Sequence, residues 1–395
     1  MKYCILIIDG ASGWPLPERD GKTCLELAHL PNLNTMAQQG LLGLTRTVPQ
    51  GMEPSSACAC MSILGYDPKV YYKGRGAIEA ASMGISLEED EVVFRCNLVA
   101  VKDGKMWSYS AGFISNEEAY ALVAALQDSL GSDEVRFYPG VSYRHLCTIK
   151  GHRDTLQATC IPPHDISDKP IAPFLPRGPG SEFLRDLMMR SQAVLQDHPV
   201  NVRRRARGDI PATMIWLFWA SGEIPALPPF RQLYGQAAAM TSGVDLLRGL
   251  AKMAQVENLD IPGVTDGPDN NHAGQVAGAL DALQEKDLVI VHIEAPDEAA
   301  HTGSIDDKIR TIEHIDREGV NQLLSWGNRG LRVLVLPDHS TPIQIKTHCA
   351  DPVPFILWGE GISHNGARAF TEAQAQGTGL FIVEGHHIMG KLIAQ

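Results

Sequence analysis

Three short apolar runs, far apart in the chain, each deliver an aspartate at their carboxyl end. Residues 3–8 (YCILII) lead into Asp9 and Gly10. Residues 287–293 (DLVIVHI) lead into Glu294, Ala295, Pro296 and Asp297, and then His301. Leu331–Leu336 (LRVLVL) leads through Pro337 into Asp338 and His339, and His348 follows nine residues later, before a further apolar run at residues 355–358. Runs of this length and composition read as buried strands. In an open α/β sheet, ligand-binding groups gather beyond the carboxyl ends of the strands. Asp297 and His301 are four apart, so a helical turn there sets both on one face. One such turn alone is as readily a polar loop; three of them make coincidence the weaker reading. Carboxylates suit magnesium or manganese, and imidazoles suit manganese, zinc, iron or nickel. Three aspartates and three histidines suffice for two divalent ions with open positions, an arrangement suited to phosphoryl transfer.

A chain of 395 residues buries a sizeable core and is expected to form two domains. Its net charge of −12 argues against a nucleic-acid or membrane-surface partner but leaves room for an anionic ligand in a local basic pocket. No apolar run approaches the roughly 18 residues of a membrane span, and the apolar stretch before Asp9 is too short for a signal peptide. The eight cysteines are scattered, with no CxxC pair; the Cys58-x-Cys60 pair has no second pair to complete a zinc site. They read as reduced thiols of a cytoplasmic protein.

Between the metal-suited runs, residues 25–39 read as a helix broken at Pro31, and a Gly/Pro loop delivers Ser55 and Ser56 to the start of a helical stretch. A serine there sits among free backbone N–H groups, either as a helix cap or as a phosphoryl acceptor. Arg75 lies between glycines, and Arg95 and Asn97 lie inside a strand-like run (VVFRCNLVAV) where a buried guanidinium needs a partner. Residues 88–204 have a different texture, with long Pro-rich loops and no strand–aspartate pattern, and read as an inserted domain. Residues 198–208 (HPVNVRRRARG) are the one basic cluster, either a solvated patch or a source of active-site arginines. Residues 213–220 (TMIWLFWA) resume the buried-strand texture of the core.

Taken in order, Asp9, Pro54-Ser55-Ser56-Ala57, Ser62-Ile63-Leu64-Gly65-Tyr66-Asp67-Pro68, Tyr72-Lys73-Gly74-Arg75-Gly76, Phe94-Arg95-Cys96-Asn97, Asp297-x3-His301, Asp338-His339 and His348 with Asp351-Pro352-Val353-Pro354-Phe355 form a connected pattern over nearly the whole chain. The pattern resembles the archaeal-type cofactor-independent phosphoglycerate mutases of the alkaline phosphatase superfamily, whose bacterial branch includes proposed homoserine kinases. The resemblance implies an α/β fold, alkaline-phosphatase-like and doubly wound, with a mostly parallel sheet and a smaller inserted α/β domain. The metal-binding phosphotransferase core would span residues 1–87 and 205–395, and the substrate-binding insert residues 88–204.

The resemblance also implies two divalent metal ions (manganese, zinc or magnesium) and no 2,3-bisphosphoglycerate. One ion would be held by Asp297, His301 and His348, the other by Asp9, Asp338, His339 and the nucleophile, Ser56. Phosphoryl transfer through a phosphoserine would interconvert 3- and 2-phosphoglycerate. Arg75, Arg95, Arg144, His145 and Arg204 would bind the small phosphorylated acid. The chain departs from the family's pattern where Ala57 replaces an acidic neighbour of the serine and where Gln275 replaces a lysine. It departs again at residues 108–113 (SYSAGF), where the archaeal enzymes carry arginines. Two alternatives follow from those departures: transfer to a related small acceptor, as in a homoserine kinase, or simple metal-dependent phosphatase activity.

Overall fold

The computed structural model describes residues 1–327 and 330–394. The chain divides into two compact units, Met1–Tyr72 with Ala226–Gln395, and Lys73–Pro225. The first unit is built on an eight-stranded sheet. Its strands run in the order Phe381–Ile382, Leu41–Thr45, Val353–Gly359, Leu331–Leu336, Lys2–Ile8, Leu288–Ile293, Ala238–Thr241 and Glu257–Asn258. All pairings are parallel except those of Val353–Gly359, which runs antiparallel to both neighbours.

The central strands are apolar at nearly every position because both faces of the sheet are covered, so no side of the strand meets water. Residues 3–8 and the whole of Leu288–Ile293 are buried. Alternate residues Cys4, Leu6 and Ile8 pack with Leu33 and Met36 of helix Pro31–Gln39, Val276 and Ala279 of helix His272–Ala282, and Ile312 and Ile315 of helix Ile305–Ile315. Ile5 and Ile7, equally buried, point to the opposite face, as the twofold period of a strand requires. The expected doubly wound, mostly parallel α/β sheet is therefore present. Pro31 opens its helix at the first position instead of breaking a longer one, since a proline there gives up an N–H that has no helical partner anyway.

Register, more than sequence spacing, builds the site. Ile8 pairs with Ile293 and Ile7 with Leu336, so the three strands end level and Asp9, Glu294 and Asp338 emerge at one height.

The second unit is an antiparallel five-stranded sheet. Glu91–Lys102 lies at its centre between Arg144–Lys150 and Met214–Ser221, with Val135–Val141 and Lys105–Ser108 completing it. Helices Asn116–Leu130 and Ser181–Leu195 contribute Leu122, Leu126, Leu184 and Met188 to its core. This unit is wider than residues 88–204. Met214–Ser221 looks like a core strand of the first unit in sequence, because a strand buried on both sides carries the same residues wherever it sits; its pairing with Glu91–Lys102 places it here. Helix Arg75–Ser82 joins the same unit through Gly76 and Ala77, packed where a side chain at Gly76 would meet the Trp219 carbonyl. Among the described residues, no helix is long and apolar enough to cross a membrane.

Candidate metal centre

Beyond the level strand ends, seven side chains form two adjoining clusters. In one, Asp297 Oδ2 lies 2.9 Å from His301 Nε2 and 3.3 Å from His348 Nε2, and the two imidazole nitrogens are 3.1 Å apart. In the other, His339 Nε2 lies 3.3 Å from Asp338 Oδ2, 3.6 Å from Asp9 Oδ1 and 3.2 Å from Ser56 Oγ. The rings of His339 and His348 stack at 3.9 Å, which sets the clusters side by side. Donors bound tetrahedrally to one ion at about 2.1 Å lie about 3.4 Å from each other. The first cluster has that spacing, and in the second His339 Nε2 stands at it from the other three donors.

The protein holds each aspartate by one oxygen and turns the other to the imidazoles. Asp297 Oδ1 accepts the Thr341 hydroxyl at 2.5 Å. Asp338 Oδ1 accepts the backbone N–H groups of Gly10 and His339 at 3.2 and 2.7 Å. Asp9 Oδ2 is held by His292 Nε2 at 2.8 Å. The imidazoles are oriented in the same manner. His301 Nδ1 donates to the Lys346 carbonyl at 2.9 Å, and His339 Nδ1 lies 3.2 Å from the Thr341 oxygen, which leaves Nε2 of each ring facing the cluster.

The fit to cations rests on what this leaves unbalanced. Asp9 Oδ1 is fully buried and has no hydrogen-bond partner. Burial, then Asp338, Glu294 and Asp297, push the Asp9 carboxyl well above its usual range, and burial pushes Glu294 up to about 8. Burial pushes His339 down to about 4, so its inward-facing nitrogen brings no proton to offset the carboxylates. Burial also opposes ionisation of Asp297, but its hydrogen bonds to His301 and His348 hold it well below the carboxylate range. His301 is raised to about 9 against the effect of burial, because Asp297 draws a proton onto it. Buried carboxylates and imidazole lone pairs converging on two points, with too few protons between them, are suited to divalent ions.

Local sequence explains the placement. Gly10 has φ +62°, and a Cβ there would overlap the Asp297 carboxylate and the Thr341 hydroxyl, so only glycine lets the first strand turn this close. Helix Ser56–Ile63 separates the two serines by role. Ser55 is its cap and accepts the Cys58 N–H, while Ser56, at the first helical position, faces His339. Lys308, buried and donating to the carbonyls of Ser12 and Thr341 at 3.0 and 2.8 Å, ties the loops after the first and third metal-suited strands to one helix.

The basic residues sit in the second unit. Glu79 bridges Arg75 and Arg95, and Arg95 also donates to Asn97 at 3.0 Å. His145 and Arg144 pair in register with Cys96 and Asn97 on the neighbouring strand. His145 Nδ1 accepts the Gly140 N–H, its Nε2 is buried without a partner, and burial pushes its pKa down to about 3. Arg75 also lies over the Trp219 ring at 4.3 Å. Arg204 stands apart from this group: its donors go to Glu118 and to the carbonyls of Ile210 and Ala111. Gln275 is likewise spent internally, on the His292 carbonyl and on Asn270. His292, Glu294, Thr341, Lys308 and Glu79 were not anticipated. A histidine inside an apolar strand and an arginine needing an acid were the signals for His292 and Glu79; Thr341 and Lys308 left none.

An open α/β sheet with paired carboxylate–imidazole clusters and a helix-borne serine at its strand ends has the donor set of a class of protein suited to divalent cations beside a hydroxyl group. Residues 37–201 match the family described as 2,3-bisphosphoglycerate-independent phosphoglycerate mutase. A protein of that name from Methanothrix thermoacetophila is 47% identical over 100% of both chains. One named as a probable member from Geobacter sulfurreducens is 41% identical over 100% of both. The solved cofactor-independent phosphoglycerate mutase of Thermoplasma acidophilum is 28% identical, covers 100% of this chain and 99% of its own, and superposes with a TM-score of 0.65. The chain belongs to the 2,3-bisphosphoglycerate-independent phosphoglycerate mutase family.

Proposed function

We propose that the chain interconverts 3-phosphoglycerate and 2-phosphoglycerate by metal-dependent phosphoryl transfer through a phosphoserine on Ser56. The observation that carries this is the position of Ser56 Oγ, 3.2 Å from His339 Nε2, the same nitrogen that Asp9 and Asp338 approach at 3.6 and 3.3 Å. Asp297, His301 and His348 would hold one divalent ion, and Asp9, Asp338, His339 and Ser56 the other, with manganese, zinc and magnesium all compatible with mixed oxygen and nitrogen donors. Bound there, the ions would lower the pKa of the serine hydroxyl and neutralise charge on the transferring group. Ser56 Oγ attacks phosphorus, and the glycerate oxygen leaves and takes up a proton. The other glycerate hydroxyl then attacks the phosphoserine and releases Ser56. We assign recognition of the small phosphorylated acid to Arg75, Arg95, Arg144 and His145, and we assign Arg204 to holding its helix against the loop at Ala111. The free cysteines support action in the reducing cytoplasm.

Phosphorus NMR of the manganese-loaded protein with 3-phosphoglycerate tests the reading. 2-Phosphoglycerate is the expected product, free phosphate would point to a phosphatase, and neither would point to another acceptor. Ser56→Ala is expected to lower turnover by about 10⁴-fold or more. Ser55→Ala is expected to retain turnover and lose about 1 kcal/mol of stability with its cap. Mass spectrometry that finds phosphate on Ser55 would reverse the assignment.

A further inference from the structure

The strand that leads to Glu294 carries His292, which belongs to neither proposed ligand set. The residue is 1% exposed, and both ring nitrogens are engaged. Nδ1 lies 3.1 Å from Ser242 Oγ, and Nε2 lies 2.8 Å from Asp9 Oδ2. Ser242 Oγ accepts the Val244 N–H at 3.0 Å, which leaves its own hydrogen to be given to His292 Nδ1. An imidazole that accepts at Nδ1 carries its proton on Nε2, where it donates to Asp9. The backbone is fixed as well, because Gln275 donates to the His292 carbonyl at 2.9 Å and is itself held by Asn270 at 2.8 Å. The remaining Asp9 oxygen, Oδ1, is buried, has no partner and faces His339.

We propose that Ser242 and His292 form a positioning relay that holds Asp9 by Oδ2 and thereby presents Oδ1 to the divalent ion shared with Asp338, His339 and Ser56. The proposal rests on Asp9 being a ligand. It reverses the usual arrangement around a metal, in which a carboxylate outside the site orients a ligating imidazole. Here the imidazole stands outside and orients the carboxylate. The same device recurs with a simpler donor at the adjoining cluster, where the Thr341 hydroxyl holds Asp297 Oδ1 and leaves Oδ2 to the histidines.

The test is titration of the metal-free full-length protein with Mn²⁺, followed by calorimetry and by electron paramagnetic resonance of free Mn²⁺. His292→Leu, which keeps the volume but not the donor, is expected to weaken one of two binding steps by about 10–100-fold while the other stays near wild type. His292→Gln, which can still donate to Asp9, is expected to recover most of that loss. Ser242→Ala is expected to weaken the same step by a smaller factor. It removes only a hydroxyl, so it decides the matter if His292→Leu does not fold. All three variants should still bind two equivalents at saturation. Wild-type affinities in His292→Leu with only a lower melting temperature would overturn the relay, since His292 would then merely pack. Loss of an equivalent that no Mn²⁺ concentration restores would also overturn it, because His292 would then be a ligand, shared with Asp9 and Glu294. Asp9→Asn serves as the control. If it leaves both steps unchanged, Asp9 is not a ligand and the relay falls with that assignment; a step weakened in Asp9→Asn but unchanged in His292→Leu would overturn the relay alone.

Discussion

The metal centre depends on single residues whose roles are set by one atom each. Gly10 supplies the absence of one: no Cβ, at a backbone angle that L-residues reach only at a cost of about 1–2 kcal/mol. Its N–H also holds Asp338 Oδ1. Gly10→Ala is therefore expected to push the Asp297 carboxylate off His301 and His348 and to weaken Mn²⁺ binding at that cluster by at least about tenfold. Equilibrium dialysis of the variant checks this, and wild-type affinity would show that the close approach is dispensable. Ser55 and Ser56 make the complementary point. Adjacent and chemically identical, they differ only in direction: one oxygen closes the helix end and the other faces the imidazoles.

At the scale of elements, the loops that carry the proposed ligands are fastened by a helix that carries none of them. Helix Ile305–Ile315 places Lys308 under the loops at Ser12 and Thr341, where its ammonium donates to both carbonyls; the Ser12 carbonyl also accepts the Thr341 N–H at 3.1 Å. Burial holds the Lys308 pKa below its ordinary value, so the ammonium is already disfavoured and the carbonyls offset part of that cost. Lys308→Met keeps the stem and removes the donors. A loss of about 2 kcal/mol is expected from leaving the buried Thr341 carbonyl unpaired, since the Ser12 carbonyl keeps the Thr341 N–H; it is read as a lower urea midpoint with an unchanged slope. Metal affinity should fall as well, because Thr341 orients both Asp297 and His339. A stable variant with intact affinity would mean that the loops hold their shape without the helix.

On the scale of the molecule, each unit has its own core, and each balances its own buried charge differently. The first unit gathers buried carboxylates beside imidazoles. The second gathers arginines and balances them with Glu79, which is nearly buried; burial works to raise its pKa, but Arg95 and Arg75 hold it below the ordinary value. Glu79→Gln leaves Arg95 uncompensated and is expected to cost about 3 kcal/mol near neutral pH. The sign of the pH dependence follows from linkage. A carboxyl whose folded pKa lies below its unfolded value contributes stability that is present above the unfolded value and is lost as pH falls through the folded one. The difference between wild type and Glu79→Gln should therefore shrink below the normal carboxylate range, as thermal unfolding in acidic buffers would show. A difference independent of pH would assign the loss to packing instead of charge.

The sequence alone determined most of the elements and singled out the residues proposed as ligands. Strand texture, the aspartate after each run, the Asp297–His301 helical turn and the helix behind Ser55 and Ser56 are local properties, and period, capping and residue chemistry are written in neighbouring positions. Arg95 within a strand already called for a partner, though not for an acid in particular. The tertiary structure decided everything that depends on register and pairing. It decided that Ile8, Ile293 and Leu336 end level, and that Met214–Ser221 joins the second sheet. It also decided that Arg204 is spent on Glu118, and that His292, written as one more residue of a buried strand, meets Asp9 across 283 positions of sequence. A buried strand reads the same in either sheet, and a histidine between apolar neighbours reads the same whether it packs or donates. The difference lies only in what the fold brings against it.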